Sequence, residues 1–146
     1  MATTVATLLE RKSPEIFSVS PDTSIYEAGK IIVEKGIGVI VVLEKNNKVA
    51  GMVSARDIVR KIVIEEQFSK EQPVNKIMES RVIYVSPEDT IETCMAIMTA
   101  KKYRHLTVME EGELVGIISI GDLIKCIIDE KEMAIKQYKK YIYEDW

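Results

Sequence analysis

A chain that writes one unit twice in register has to fold as a matched pair, and that constraint dominates this sequence. Ser18-Val19-Ser20-Pro21-Asp22-Thr23-Ser24-Ile25 is answered 66 positions on by Tyr84-Val85-Ser86-Pro87-Glu88-Asp89-Thr90-Ile91. Val49-Ala50-Gly51-Met52-Val53-Ser54-Ala55-Arg56-Asp57-Ile58 is answered 65 positions on by Leu114-Val115-Gly116-Ile117-Ile118-Ser119-Ile120-Gly121-Asp122-Leu123. The offset drops by one at the polar turn Glu44–Lys48, one residue longer than Glu110–Glu113. Length changes in a hairpin loop leave the flanking strands in register, so duplication explains the pattern.

Each unit reads β-α-β-β-α. A short β run (Ile16–Ser20; Val82–Ser86) leads through Ser-Pro to a cap at Thr23/Ser24 or Asp89/Thr90. A helix follows, with apolar positions Ile25, Ala28, Ile32 and Gly36, or Ile91, Cys94, Met95 and Met98, at helical spacing. Two β runs come next, Val39–Leu43 with Lys48–Val53 and Leu106–Met109 with Glu113–Ile118, joined by turns rich in Asn, Gly, Lys and Glu. A second helix opens at Ser54–Asp57 or Ser119–Asp122. Pairing the first β run in parallel across a helix calls for a right-handed crossover. The expected division is 1–68 for the first repeat with its N-terminal segment, 69–128 for the second, and 129–146 for a helical extension. Short amphipathic segments, Val5–Glu10 and Val74–Met78, precede the two units and are expected to pack one repeat against the other. The tail gathers Tyr138, Tyr141, Tyr143 and Trp146, an aromatic cluster that suits contact with a second subunit better than exposure. A half-chain of roughly 60 residues has a marginal core, so the repeats are expected to fold as one body.

Composition narrows the function classes. A hydrophobic fraction of 47% and a charged fraction of 29% describe a globular chain. Net charge of −3 argues against an electrostatic nucleic-acid binder. Two cysteines and one histidine cannot furnish a four-ligand Cys/His zinc site alone. The start, Met1-Ala2-Thr3-Thr4, lacks the basic and apolar regions of a secretory signal, and no apolar run approaches the ~20 residues that span a bilayer. A cytoplasmic protein is the expectation.

The paired feature with chemical content is Gly51-x-x-Ser54-x-x-Asp57 and Gly116-x-x-Ser119-x-x-Asp122. A strand ends and a helix begins there, so unpaired N–H groups and the positive helix end are available to an anion. The hydroxyl can meet a phosphate oxygen, and the carboxylate can accept from a ribose diol. Ser-x-x-Asp is also close to a capping box, and for either copy alone the cap is the simpler account. One group can do both. Arg104-His105 precedes the second unit's buried strand, where the first has Gly38-Val39 within Gly36-Ile37-Gly38. One half of any site is therefore basic and the other small and apolar, and the two clefts should differ in affinity. Cys94 and Cys126 fall on apolar helix positions and read as core, and His105 is the only histidine available as a base, so nucleophilic catalysis has little support.

These residues carry a resemblance. The tandem unit, with Ser-Pro-x-x-Thr/Ser before the first helix and Val/Leu-x-Gly-Ile/Met-x-Ser-x-x-Asp into the second, resembles the cystathionine-β-synthase (CBS) domain pair, the Bateman module, from about Val5 to Ile128. The run from Arg104 to Val108 and on through Gly116–Lys125 is similar to stand-alone bacterial and archaeal members. The family usually has Pro where Thr107 stands. The resemblance implies an α+β fold of two CBS repeats about a pseudo-two-fold axis, and a flat homodimer formed through the helices. It implies an adenosyl ligand (AMP, ADP or ATP, with NAD(H) or S-adenosylmethionine as further options) bound in clefts between the repeats, with no cofactor required. Asp57 and Asp122 would hold ribose hydroxyls, and Ser54 and Ser119 would contact phosphate. Ile16 and Ser18 with Ile37, Gly38 and Val39, and Ile83 and Tyr84 with Arg104 and His105, would wall the adenine, and the basic residues Arg104 and His105 would also meet phosphate; Arg56 is a weaker candidate. The reading is a non-catalytic nucleotide sensor that signals to an unknown partner, without nucleic acid or membrane. The alternatives are a ligand-free dimeric scaffold whose Ser-x-x-Asp pairs serve as caps, and a small hydrolase or transferase acting on the nucleotide.

Overall fold

A computed structural model describes residues 3–12 and 15–131. The two units are two three-stranded sheets of the same design. The first runs β1 (Ser18–Val19), β2 (Val39–Leu43), β3 (Val49–Ser54), and the second β4 (Tyr84–Val85), β5 (His105–Glu110), β6 (Glu113–Ser119). The opening strand of each pairs in parallel with the middle one, which pairs antiparallel with the last. Each sheet carries a bulge at the corresponding place, Val42/Leu43 and Val108/Met109. The β runs expected over 16–20 and 82–86 pair over two residues only, because each then turns at Ser-Pro, where Thr23 N–H reaches Ser20 O and Asp89 N–H reaches Ser86 O.

The helices begin where capping chemistry places them. Ser24 Oγ accepts from Glu27 N–H at 3.1 Å to open α2 (Ile25–Lys35), and Thr90 Oγ1 accepts from Thr93 N–H at 3.1 Å to open α4 (Ile91–Lys101). Both end in the left-handed region, at Gly36 (φ 63°) and Lys102 (φ 59°). The second helices differ. In the second repeat α5 (Ile120–Glu130) is regular, whereas α3 (Ala55–Ile58) passes into wider π-helical turns over Val59–Ile64, closed by Glu65 N–H on Arg60 O at 2.8 Å. The aromatic tail and the extension expected beyond Lys131 lie outside the described residues.

Each core is completed by the segment that precedes the other repeat. Val5 and Leu8 of α1 (Val5–Glu10) are buried with Ile91, Cys94, Leu106, Ile118 and Leu123 of the second repeat. Val74 and Ile77, in and after the 3-10 turn Val74–Lys76, are buried with Ile25, Ile32, Ile40 and Val53 of the first. The backbone follows the same exchange: Val5 N–H donates to Asp89 O at 2.8 Å and Val74 N–H to Thr23 O at 2.8 Å. Neither repeat closes its core without the other's leading segment.

This exchange explains why glycine stands at 51 and 116. A Cβ at Gly51 would lie 2.7 Å from Glu79 O, whose residue exchanges two backbone hydrogen bonds with Met52. A Cβ at Gly116 would lie 2.6 Å from a methyl of Leu9. The leading segment crosses each sheet so closely at these points that a side chain has no room at Gly51 and would have to displace Leu9 at Gly116.

Candidate functional site

Alternation along the middle strands separates core from cleft. Ile40 and Val42 point into the first core, while Val39 and Val41 border a cavity on the opposite face. Two such cavities lie between the repeats, about 480 Å³ and about 580 Å³ in volume. Each draws on both repeats. The first joins Ser119 and Asp122 of the second repeat to Ile16, Phe17 and the loop Gly36-Ile37-Gly38 of the first. The second joins Ser54, Arg56 and Asp57 of the first repeat to Ile83 and the loop Lys102-Tyr103-Arg104 of the second. They are called here the Asp122 cleft and the Asp57 cleft. Val39, Gly38 and His105 border both, and a Cβ on Gly38 would stand 3.7 Å from His105 Nε2. A methyl there would meet the imidazole in ordinary van der Waals contact.

Both Ser-x-x-Asp pairs form complete capping boxes. Ser54 Oγ accepts from Asp57 N–H at 3.0 Å while Asp57 Oδ2 accepts from Ser54 N–H at 3.1 Å. Ser119 and Asp122 repeat this at 3.1 and 2.8 Å. The box engages Oδ2 of each carboxylate. Oδ1 of Asp122 lies outside the box, and Oδ1 of Asp57, which Arg60 meets, keeps a further lone pair, so cap and ligand contact are compatible at one residue.

The two carboxylates have different companions. Lys12 Nζ sits 2.7 Å from Asp122 Oδ2 and donates to Ile117 O at 2.6 Å. Burial alone would raise the Asp122 carboxyl pKa, but the Lys12 hydrogen bond and the Ser119 N–H outweigh it and hold it below the ordinary value. Asp57 Oδ1 meets Arg60 Nη2 at 3.3 Å, one helical turn on, and that guanidinium also lies 3.8 Å from Glu65. His105 is pushed toward its neutral form chiefly by burial, with Lys12 and Arg104 adding to this and Asp122 opposing it.

Of the residues expected at the site, Ile16, Ile37, Ser119 and Asp122 border the first cleft, and Ser54, Arg56, Asp57, Ile83 and Arg104 the second. Ser18 and Tyr84 border neither; Tyr84 is 52% exposed. The residue one place earlier in each strand takes the position instead, Phe17 in one cleft and Ile83 in the other. Ile83 is held firmly, its carbonyl accepting from both Thr107 N–H at 3.1 Å and Thr107 Oγ1 at 2.9 Å. The proline usual at that position in the family could supply neither bond. Lys12 and Arg81 went unread in the sequence. Their signal was the spacing of the leading segments: Val5, Leu9 and Lys12 stand as Val74, Met78 and Arg81 do, 69 positions apart.

Chemically, the clefts are equipped to bind. Cys94 is buried and its thiol is pushed up to about 11 by burial and by Asp89, and burial also raises Cys126, so neither is a ready nucleophile. Among the described residues, no group of His, Cys, Asp and Glu could hold a metal ion, and no helix is long and apolar enough to cross a membrane.

Comparison with known proteins accounts for this architecture. The family model for the CBS domain matches residues 8–64 and again 74–129. A structure of a protein with CBS domains from Burkholderia ambifaria MC40-6 is 42% identical, with a TM-score of 0.82 over 87% of this chain and 95% of that one. A CBS domain protein from Pyrobaculum aerophilum, complexed with AMP, is 28% identical, with a TM-score of 0.72 over 82% of this chain and 88% of that one. The mitochondrial CBS domain-containing protein CBSX3 of Arabidopsis thaliana is 30% identical over 125 residues, which are 83% of this chain and 61% of that protein's length. With both repeats matched and the architecture shared, the chain belongs to the CBS-domain family, as a tandem pair of α+β repeats.

Proposed function

We propose that the chain is an adenine-nucleotide-binding regulatory module without catalytic activity. The observation that carries this reading is the repeated site: a capped aspartate beside each of two inter-repeat cavities, each large enough for a nucleotide. Asp57 and Asp122 accept from ribose hydroxyls, Phe17 with Ile37 and Ile83 with Tyr103 provide apolar walls for the base, and Ser54 and Ser119 face whatever phosphate a ligand carries. The AMP complex of the Pyrobaculum aerophilum relative supports the ligand class. Because each cavity has walls from both repeats, a ligand bridging them favours one arrangement of the pair, and a partner preferring that arrangement responds to occupancy. The exposed apolar side chains of Val59, Val63 and Ile64, and of Ile124 and Ile128, suit a homodimer formed through the helices.

Isothermal titration with AMP, ADP, ATP, NADH and S-adenosylmethionine tests the reading. Saturable binding of an adenine nucleotide that weakens in Asp57→Asn or Asp122→Asn is expected. Absence of heat with all five, from folded and nucleotide-free protein, contradicts it. The completeness of both capping boxes favours one second reading, a ligand-free scaffold in which Ser-x-x-Asp only starts helices. That reading predicts a loss of about 1 kcal/mol of stability in Asp57→Ala or Asp122→Ala, which remove the capping oxygen, with no nucleotide effect. Recovery of unchanged ATP after prolonged incubation is expected, and a hydrolysed or transferred product would contradict the non-catalytic assignment.

A further inference from the structure

The two clefts are built on one plan but carry opposite charge. Around the Asp57 cleft stand Arg56, Arg60, Arg81, Lys102 and Arg104. Two carboxylates oppose these five cations, Asp57 and Glu79. Around the Asp122 cleft the balance reverses among the described lining residues: Lys12 is the one Lys or Arg, and the carboxylates are Glu10, Glu15 and Asp122. Lys12 is moreover engaged at 2.7 Å by Asp122 itself.

The difference is concentrated in one loop. Gly36-Ile37-Gly38 and Lys102-Tyr103-Arg104 leave their helices through the same left-handed residue, at φ 63° and 59°. Glycine adopts that conformation freely, and lysine does not. The second repeat therefore places a cation beside the cleft in a backbone conformation unfavourable to it. A cavity walled by one sign of charge concentrates counter-ions, and a polyphosphate gains from each guanidinium it meets.

We propose that the clefts select different ligands: the Asp57 cleft a nucleoside polyphosphate, and the Asp122 cleft an adenosyl ligand without negative charge. This rests on the nucleotide-binding reading for the adenosyl part alone; the charge selection stands on the lining residues.

Inorganic tripolyphosphate and adenosine separate the two parts. With the full-length protein followed by amide NMR, tripolyphosphate is expected to shift Lys102, Tyr103 and Arg104 saturably and to leave Gly36 and Ile37 in place. Its affinity is expected to fall at least about tenfold in the double variant Arg81→Glu/Arg104→Glu and to weaken as salt rises from about 0.05 M to about 0.5 M. Adenosine is expected to shift Gly36 and Ile37 first. Arg81 and Arg104 are exposed, so the charge reversals leave the cores intact. Tripolyphosphate that moves Gly36 and Ile37 equally, that binds the double variant as tightly as the parent, or that fails to bind overturns the charge selection, as does adenosine preferring Lys102–Arg104. Tripolyphosphate behaving as expected while adenosine and ATP fail to bind would instead overturn the adenosyl reading and leave the anion site standing.

Discussion

The loops after α2 and α4 hold corresponding places in the two repeats, share a backbone conformation at their first residue and border corresponding cavities, yet one is Gly36-Ile37-Gly38 and the other Lys102-Tyr103-Arg104. The Ser-x-x-Asp caps and the glycines beneath the crossing segments are the same in both halves, although the left-handed position that ends each first helix is Gly36 in one and Lys102 in the other. Residues that meet only the cavity differ. A duplicated scaffold can thus hold two binding sites in one frame and still present unlike chemistry in each.

That comparison can be strained experimentally, beginning with the glycines. A methyl at Gly51 meets the Glu79 carbonyl at 2.7 Å, and that backbone is pinned by its two bonds to Met52. At Gly116 the nearest atom is the end of Leu9, a side chain that can turn aside. Gly51→Ala is therefore expected to cost about 2–3 kcal/mol and Gly116→Ala about 1 kcal/mol, read from urea denaturation midpoints. Equal losses would show that the two crossings are equally rigid.

The caps should follow. Ser119→Ala is expected to cost about 1 kcal/mol, since it frees the start of an eleven-residue helix. Ser54→Ala should cost less, because four α-helical residues follow it before the π turns. Smaller still, Lys102→Gly is expected to stabilise by about 0.5–1 kcal/mol by relieving the left-handed lysine, while weakening ATP binding. A variant that gains stability without losing affinity would remove Lys102 from the site.

The smallest expected effect depends on pH. His105 is the chain's only histidine, and its pKa in the fold lies below the ordinary 6.5. On acidification the unfolded chain takes up this proton first. Its contribution to stability is complete above 6.5 and shrinks as pH falls toward the folded value. His105→Gln should flatten the melting temperature between about pH 7 and pH 5. Asp122 acts lower. With its folded pKa below 3.8, its stabilising contribution is held above that value and lost as pH falls through the folded one. Lys12→Met should shrink that acid loss.

Much of this was legible in the sequence, and the reasons are local. The repeat, the element order and the Ser-x-x-Asp caps depend on neighbours within four residues or on the 66-residue echo, and the helices α2 and α4 begin at capping residues named from sequence. The contrast between Gly36–Gly38 and Lys102–Arg104 was visible too. Three things were not. Which strand start joins which aspartate depends on packing between repeats, and no local pattern encodes it. Lys12 and Arg81 lie in leading segments whose role becomes visible only when those segments cross to the other repeat's sheet. The choice of Ser18 over Phe17, and of Tyr84 beside Ile83, turned on one residue of phase in a two-residue strand, where alternation is too short to read and a single step exchanges faces. Phe17, whose ring lies 5.5 Å from Lys35 Nζ, and Ile83 are the residues that border the clefts.

A crystal structure of the full chain grown with ATP tests the central claim most directly. The account predicts one nucleotide in the Asp57 cleft, its ribose hydroxyls on Asp57 and its phosphates against Arg81, Lys102 and Arg104. ATP with its ribose on Asp122 and its phosphates along Gly36–Gly38, or both clefts empty at saturating nucleotide, would contradict it.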